Sequence, residues 1–127
     1  MPRKMFHKCI DELADLGFGG TVGLFNNNEP LLDKRMVSFV EYISRKLPDA
    51  KSLILTNGII LTQKFCEALL QAGLRELVVD CYKSDGRLRR DLLRAVRPFC
   101  NSPDAKITVN TRFLNEKLNN RAGWSPN

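Results

Sequence analysis

Asn26-Asn27-Asn28-Glu29-Pro30-Leu31-Leu32-Asp33 follows the apolar run Thr21-Val22-Gly23-Leu24-Phe25, and a helical pattern begins directly after Asp33. The order is strand, polar turn, helix. In a parallel α/β sheet such a turn lies at the carboxyl end of a strand, where these folds place their ligands, and a carboxylate there is aimed at a pocket. Glu29 is therefore the first candidate binding residue. The same residue types also serve turns in general: Asn and Asp bond nearby backbone, Pro presets a turn, and Asp33 is a good N-cap for the following helix.

Upstream, Phe6, Ile10, Leu13 and Ala14 describe an amphipathic helix over about residues 3–16, closed by Gly17. Gly17-Phe18-Gly19-Gly20 precedes a strand, whereas a dinucleotide fingerprint follows one and opens a helix, which excludes a Rossmann reading. Downstream, Met36, Val40, Ile43 and Leu47 recur at helical spacing as far as Pro48. Ser52-Leu53-Ile54-Leu55 reads as a parallel strand buried on both faces, ending at Thr56-Asn57-Gly58. Thr62 caps a third helix that turns Phe65, Leu69 and Ala72 inward and stops at Gly73. Glu76-Leu77-Val78-Val79-Asp80 is a further strand, an arginine-rich helix follows it, and Lys106-Ile107-Thr108-Val109-Asn110 is the last.

Alternation with short connections requires right-handed crossovers and gives an α/β fold, about four parallel strands with alternating helices. The polar exit residues of the strands then gather on one rim: Asn28 and Glu29, Thr56 and Asn57, Asp80, Asn110. Residues 113–127 hold little apolar content beyond Leu114, Leu118 and Trp124 and read as a tail.

The 127 residues, 43% hydrophobic and 27% charged, suit one soluble globular domain, about half of the ~250 residues of a closed eight-stranded α/β barrel. No apolar run approaches the ~18 residues that span a bilayer and no signal-peptide centre is present, which predicts a cytoplasmic protein without membrane partners. A net charge of +6 permits a nucleic-acid partner. The charge is concentrated in Lys83, Arg87, Arg89, Arg90, Arg94 and Arg97, opposite a buried stripe of Leu88, Leu92, Ala95, Val96 and Phe99. With no aromatics interleaved for base stacking, this reads as a solvated helix face and argues against nucleic acid. Cys9, Cys66, Cys81 and Cys100 lie too far apart for a local zinc, dithiol or iron–sulfur motif. Cys9, Cys66 and Cys100 are expected as small buried hydrophobes, Cys81 at a strand end within reach of a pocket, and His7 on the surface.

Taken together, Gly20 to Asp33, Leu55 to Thr62 with its Thr56-Asn57-Gly58, and Leu70-Gln71-Ala72-Gly73-Leu74 resemble the core of a radical S-adenosylmethionine (SAM) enzyme over most of residues 5–110. The resemblance implies a partial, open parallel α/β barrel over residues 1–112. Asn119-Asn120-Arg121-Ala122-Gly123 resembles the segment that leads to a C-terminal auxiliary iron–sulfur domain in members that commonly modify peptides or act as activating or maturation enzymes, so a peptide or protein substrate is implied for a full-length form. By the same resemblance Glu29, with Asn28, holds the methionine amino group of SAM, a charge-matched pairing. Thr56, Asn57 and Asp80 line the same rim, and Asn110 and Arg112 meet the SAM ribose or carboxylate. The family's [4Fe-4S] cluster needs three closely spaced cysteines in a loop after the first barrel strand, and this sequence contains neither, so no catalytic or metal-ligating residue is assigned. The expectation is a fragment or remnant of such a core, more readily a fragment because Glu29 and Thr56-Asn57-Gly58 are kept. A non-catalytic α/β module whose open sheet edge is covered by a second copy or a partner is the competing reading.

Overall fold

The computed structural model describes residues 1–82, 89–112, 118–120 and 123–125, with side chains through residue 111. Helix α1 (Arg3–Asp15) leads to β1 (Thr21–Gly23), a 3-10 turn (Pro30–Leu32), α2 (Met36–Lys46), β2 (Lys51–Thr56), α3 (Gln63–Gln71), β3 (Glu76–Tyr82), α4 (Arg90–Val96) and β4 (Lys106–Arg112). The four strands form one parallel sheet in sequence order, β1-β2-β3-β4. The expected α/β architecture is what the chain adopts.

Sequential order has a consequence for the layers. When every crossover has the same hand and every strand is added on the same side, all helices fall on one face of the sheet. Burial follows that rule. Along β2, Ser52, Ile54 and Thr56 are buried while Leu53 and Leu55 are only half-buried; along β3, Leu77, Val79 and Cys81 are buried while Val78 and Asp80 are half-buried. Among the described residues the apolar run at Leu53 to Leu55 is thus not covered on both faces: an unbroken hydrophobic strand suits a two-sided cover, but the described helices lie on one side of this sheet.

The core lies between that covered face and the helices. Met36, Val40, Cys66, Leu69, Leu92 and Val96 from three helices meet Ile54, Leu77, Val79 and Cys81 from the sheet. Each fully buried aliphatic side chain there contributes about 1.5–3 kcal/mol. A second cluster fastens α1 to α2, with Phe6 stacked on Phe39 at 4.0 Å between ring centres and Ile10, Ile43 and Leu47 around them. His7 is half-buried and stacks on Tyr42 at 3.9 Å, so it is a packing residue and not a plain surface one. Phe65 and Ala72, expected inward on α3, are half-buried, and Cys66 takes the central place.

Thr62 caps α3, its Oγ1 accepting from Phe65 N at 3.1 Å. Asp33 does not cap α2: it ends the 3-10 turn, and its carboxylate accepts from Arg35 N, Nε and Nη2, so α2 begins only at Met36. Those bonds from Arg35 hold the Asp33 carboxyl down to about 2. The expected tail contains two short strands, β5 (Leu118–Asn120) and β6 (Gly123–Ser125), paired antiparallel in a separate sheet. Lys83, Asp85, Arg87, Leu88, Phe113 and Leu114 lie outside the described residues, as do Arg121 and Ala122. Among the described residues no helix is long and apolar enough to cross a membrane.

The cysteines divide differently from expectation. Cys66 and Cys81 are buried, whereas Cys9 and Cys100 are exposed. Cys81 points into the covered face, away from the open one, because it shares the parity of Leu77 and Val79. Burial pushes the Cys66 thiol up to about 11. With a thiol reagent at about pH 8, where an unhindered thiol is partly ionised, Cys9 and Cys100 are expected to react in the native protein and Cys66 and Cys81 only after denaturation. Rapid native labelling of Cys66, mapped by mass spectrometry, would contradict this packing.

Candidate functional site

The carboxyl ends of β1 and β2 are tied together by one side chain. Glu29 Oε1 accepts from its own turn, Leu31 N at 3.0 Å, and from Thr56 Oγ1 at 2.6 Å, while Oε2 accepts from Asn57 N at 2.9 Å. Pro30 at the first turn position lacks a donor, so Leu31 is the first N–H that Glu29 can satisfy as the cap of that turn. The bonds to Thr56 and Asn57 cross 27 and 28 residues of sequence. A carboxylate with two donors on one oxygen and one on the other still has acceptor capacity on Oε2.

Thr56 is 3% exposed. Its hydroxyl donates to Glu29 and accepts from Gly58 N at 3.1 Å. Its one donor is therefore spent inside the protein, and Thr56 holds Glu29 in place from beneath. Asn57 is half-buried, and its Oδ1 accepts from Ile59 N at 2.9 Å, shaping the turn locally. Gly58 sits at φ +72°, and a Cβ on it would stand 2.6 Å from Val79 Cγ1 and 3.0 Å from Leu92 Cδ1. Only glycine combines that backbone conformation with so close an approach.

The second part of the rim lies on the uncovered sheet face. Asp80 and Asn110 are register partners across β3 and β4, and Asn110 Nδ2 donates to Asp80 Oδ1 at 3.0 Å. The β2–β3 ladder runs as far as Thr56 opposite Val79, so Asn57 and Asp80 come next at adjoining strand ends. The single rim expected from the sequence is thus resolved into two adjoining groups, Glu29 with Thr56 and Asn57, and Asp80 with Asn110. Asn28 is exposed beside Glu29. Arg112 has its backbone in β4 opposite Tyr82, and its side chain lies outside what is described.

One residue of this region was assigned elsewhere by sequence reasoning. Arg89, counted with the solvated arginines, is half-buried at the start of α4, and its Nη2 donates to the carbonyl of Gly58. Helical spacing cannot place it, because Arg89 precedes the helix in extended conformation and follows no helical face.

Two concavities among the described residues lie away from this rim. One of about 650 Å³ sits at the opposite, amino ends of the strands among Lys51, Arg75, Glu76 and Lys106. A smaller groove of about 440 Å³ runs between α4 and β4, lined by Leu93, Val96, Ile107 and Val109. Chemistry and enclosure disagree here, and the rim is preferred on physical grounds: an open, one-sided sheet has no opposite wall to enclose its functional face, whereas the convergence of a carboxylate, two amides and an acid–amide pair is independent of enclosure.

No family model matches the chain. An S-adenosyl-L-methionine-dependent 2-deoxy-scyllo-inosamine dehydrogenase of Niallia circulans is 30% identical over 79 residues, which are 62% of this chain and 32% of that protein. Among solved structures, BtrN in complex with AdoMet and 2-DOIA superposes with a TM-score of 0.70 at 26% identity, covering 86% of this chain and 43% of that one. A selenomethionine form of BtrN in an open conformation matches with a TM-score of 0.64 at 23% identity over 86% of this chain and 44% of the other, a likeness of fold. The chain spans about a third of the length of the curated relative and under half that of the solved ones.

Thr56→Val keeps the shape of the buried side chain and removes the hydroxyl, leaving Glu29 Oε1 and Gly58 N each one partner short. The expected cost is about 1–3 kcal/mol, read as a lower urea midpoint at unchanged slope; an unchanged midpoint would show that the hydroxyl contributes nothing.

Proposed function

We propose that the chain is part of a radical SAM enzyme core whose strand-end rim receives the methionine end of SAM, with its ammonium on Glu29. The observation that carries the reading is the state of that carboxylate: three donors of the protein fix it at the carboxyl ends of β1 and β2, and one acceptor position on Oε2 stays available. An ammonium N–H is the donor that matches it in charge, and charge-assisted bonds are the strong ones. Likeness to proteins named for dependence on S-adenosyl-L-methionine, and for a complex with AdoMet, supports the same cofactor. Asn57 and the Asp80–Asn110 pair supply polar groups on the adjoining strand ends for the remainder of the ligand, and the half-buried Leu53, Leu55 and Val78 offer an apolar floor. Under this reading β5 and β6 begin the connection toward an auxiliary domain, and the protein works in the cytoplasm.

The cysteines of this chain do not fit an iron–sulfur cluster. Two are buried in the covered core, two are exposed on separate elements, and among the described residues no three side chains are grouped to hold a metal ion. Bound to a full-length form, a [4Fe-4S] cluster would supply the electron for SAM cleavage. The part assigned to the residues present is recognition: Glu29 orients the amine, and the turn at Asn57 and Gly58 keeps that carboxylate from swinging.

A second reading rests on the uncovered sheet face. Leu53, Leu55 and Val78 lie half-exposed there, and Leu32 and Ile59 are exposed at the strand ends. Such surface is normally covered, and a second copy of the chain would cover it.

Glu29→Gln removes the charge and puts donors where donors are received, so SAM is expected to bind at least about tenfold more weakly by calorimetry, about 1.4 kcal/mol. 5′-Methylthioadenosine, which lacks the ammonium, is expected to bind as before; equal loss for both, or for neither, rules out the assignment. For the second reading, sedimentation should give twice the 14.4 kDa of the chain, reverting to monomer in Leu55→Lys; a wild-type monomer that persists as concentration rises excludes it.

A further inference from the structure

We propose that Arg89 is a positioning residue for the ligand site, acting on Glu29 through the Gly58 peptide; the inference rests on the SAM reading given above. Four hydrogen bonds make one chain. Arg89 Nη2 donates to Gly58 O, Gly58 N donates to Thr56 Oγ1, Thr56 Oγ1 donates to Glu29 Oε1, and Asn57 N donates to Glu29 Oε2. The start of α4, the exit of β2 and the exit of β1 are thereby connected, although they lie far apart in sequence.

Stability alone does not account for an arginine at this place. The Gly58 carbonyl already accepts from Leu61 N at 3.3 Å, so it would not be orphaned without Arg89. The guanidinium is expensive to bury: its side chain is 22% exposed, and its Nε is buried with no hydrogen-bond partner among the described residues. Among the described residues the nearest counter-charge, Asp91 Oδ1, stands 3.6 Å from Nε on a side chain that is 72% exposed, where an ion pair is worth little. By contrast Arg90, Arg94 and Arg97 are exposed. What a rigid, planar donor supplies at Gly58 is direction.

The turn is also built to transmit that direction. Gly58 is packed so closely on Val79 and Leu92 that even a methyl group would collide with them. A shift at the start of α4 therefore moves the Gly58 peptide, and with it the Asn57 amide and the Thr56 hydroxyl that aim the carboxylate. Displacements well under an ångström are enough to weaken a hydrogen bond whose donor must lie in line.

The test uses Arg89→Met and Arg89→Lys beside Arg90→Met as the exposed control, with folding checked by circular dichroism. Arg89→Met should speed hydrogen exchange at the Asn57 and Gly58 amides and weaken SAM binding about tenfold. Binding of 5′-methylthioadenosine should weaken less than that of SAM, because it lacks the ammonium that the aimed carboxylate receives. Arg89→Lys, which keeps the charge without the fork, should fall between, and Arg90→Met should change neither measurement. Faster exchange with unaltered SAM affinity would reduce Arg89 to a structural contact and overturn the inference, while the effect of Glu29→Gln would still stand. If Glu29→Gln itself leaves SAM affinity unaltered, the underlying reading fails first. Should Arg89→Met not fold, Arg89→Lys decides by the same two measurements.

Discussion

A carboxylate that accepts from its own turn and from the end of the neighbouring strand is the constraint on which the strand-exit end of this molecule depends. Three donors converge on Glu29, one from two residues ahead and two from the β2 exit. A polar loop between a strand and a helix has many conformations of similar energy, and fixing each residue costs about 1–2 kcal/mol. Here one side chain ties the loop to the neighbouring strand, with Pro30 removing one donor and one soft dihedral at the position that follows it. The buried hydroxyl of Thr56 makes the arrangement all-or-none: without Glu29 it would lose its acceptor in a site 3% exposed.

Sheet topology sets what this knot can face. Because the strands are laid down in order with helices on one side, the side chains of each strand alternate between a packed layer and an open one. Val79, Cys81 and Thr56 belong to the packed layer; Val78, Asp80 and Asn110 belong to the open one. The cysteines show the same division of labour. A reactive or metal-binding thiol needs ionisation and access, but Cys66 is held protonated by burial and Cys81 is turned into the core. The groups that this end of the sheet presents are thus polar and not thiol: carboxylate, amide and backbone.

Much of this was legible in the order of residues. The alternation of apolar runs and helical stripes is a local property, and it gave the α/β class, the parallel sheet and the number of strands in the main sheet. Thr62 as a cap and the turn at Glu29-Pro30 were legible for the same reason, since a cap satisfies its own neighbours. Asp33 misled because it has two local options, and the guanidinium of Arg35 beside it drew the carboxylate into a turn of its own. The hairpin of β5 and β6 carried too few apolar residues to show a strand period.

What the sequence by itself determined is the set of elements and the polar residues at their ends. Only the tertiary structure decided which face of the sheet is covered, that Thr56 lies buried beneath Glu29, that Cys9 and Cys100 are exposed, and that Arg89 reaches back to Gly58. The physical reason is range. Periodicity and capping are settled within a few residues, whereas a side chain's partner across about thirty residues depends on where the crossovers bring the strand ends together.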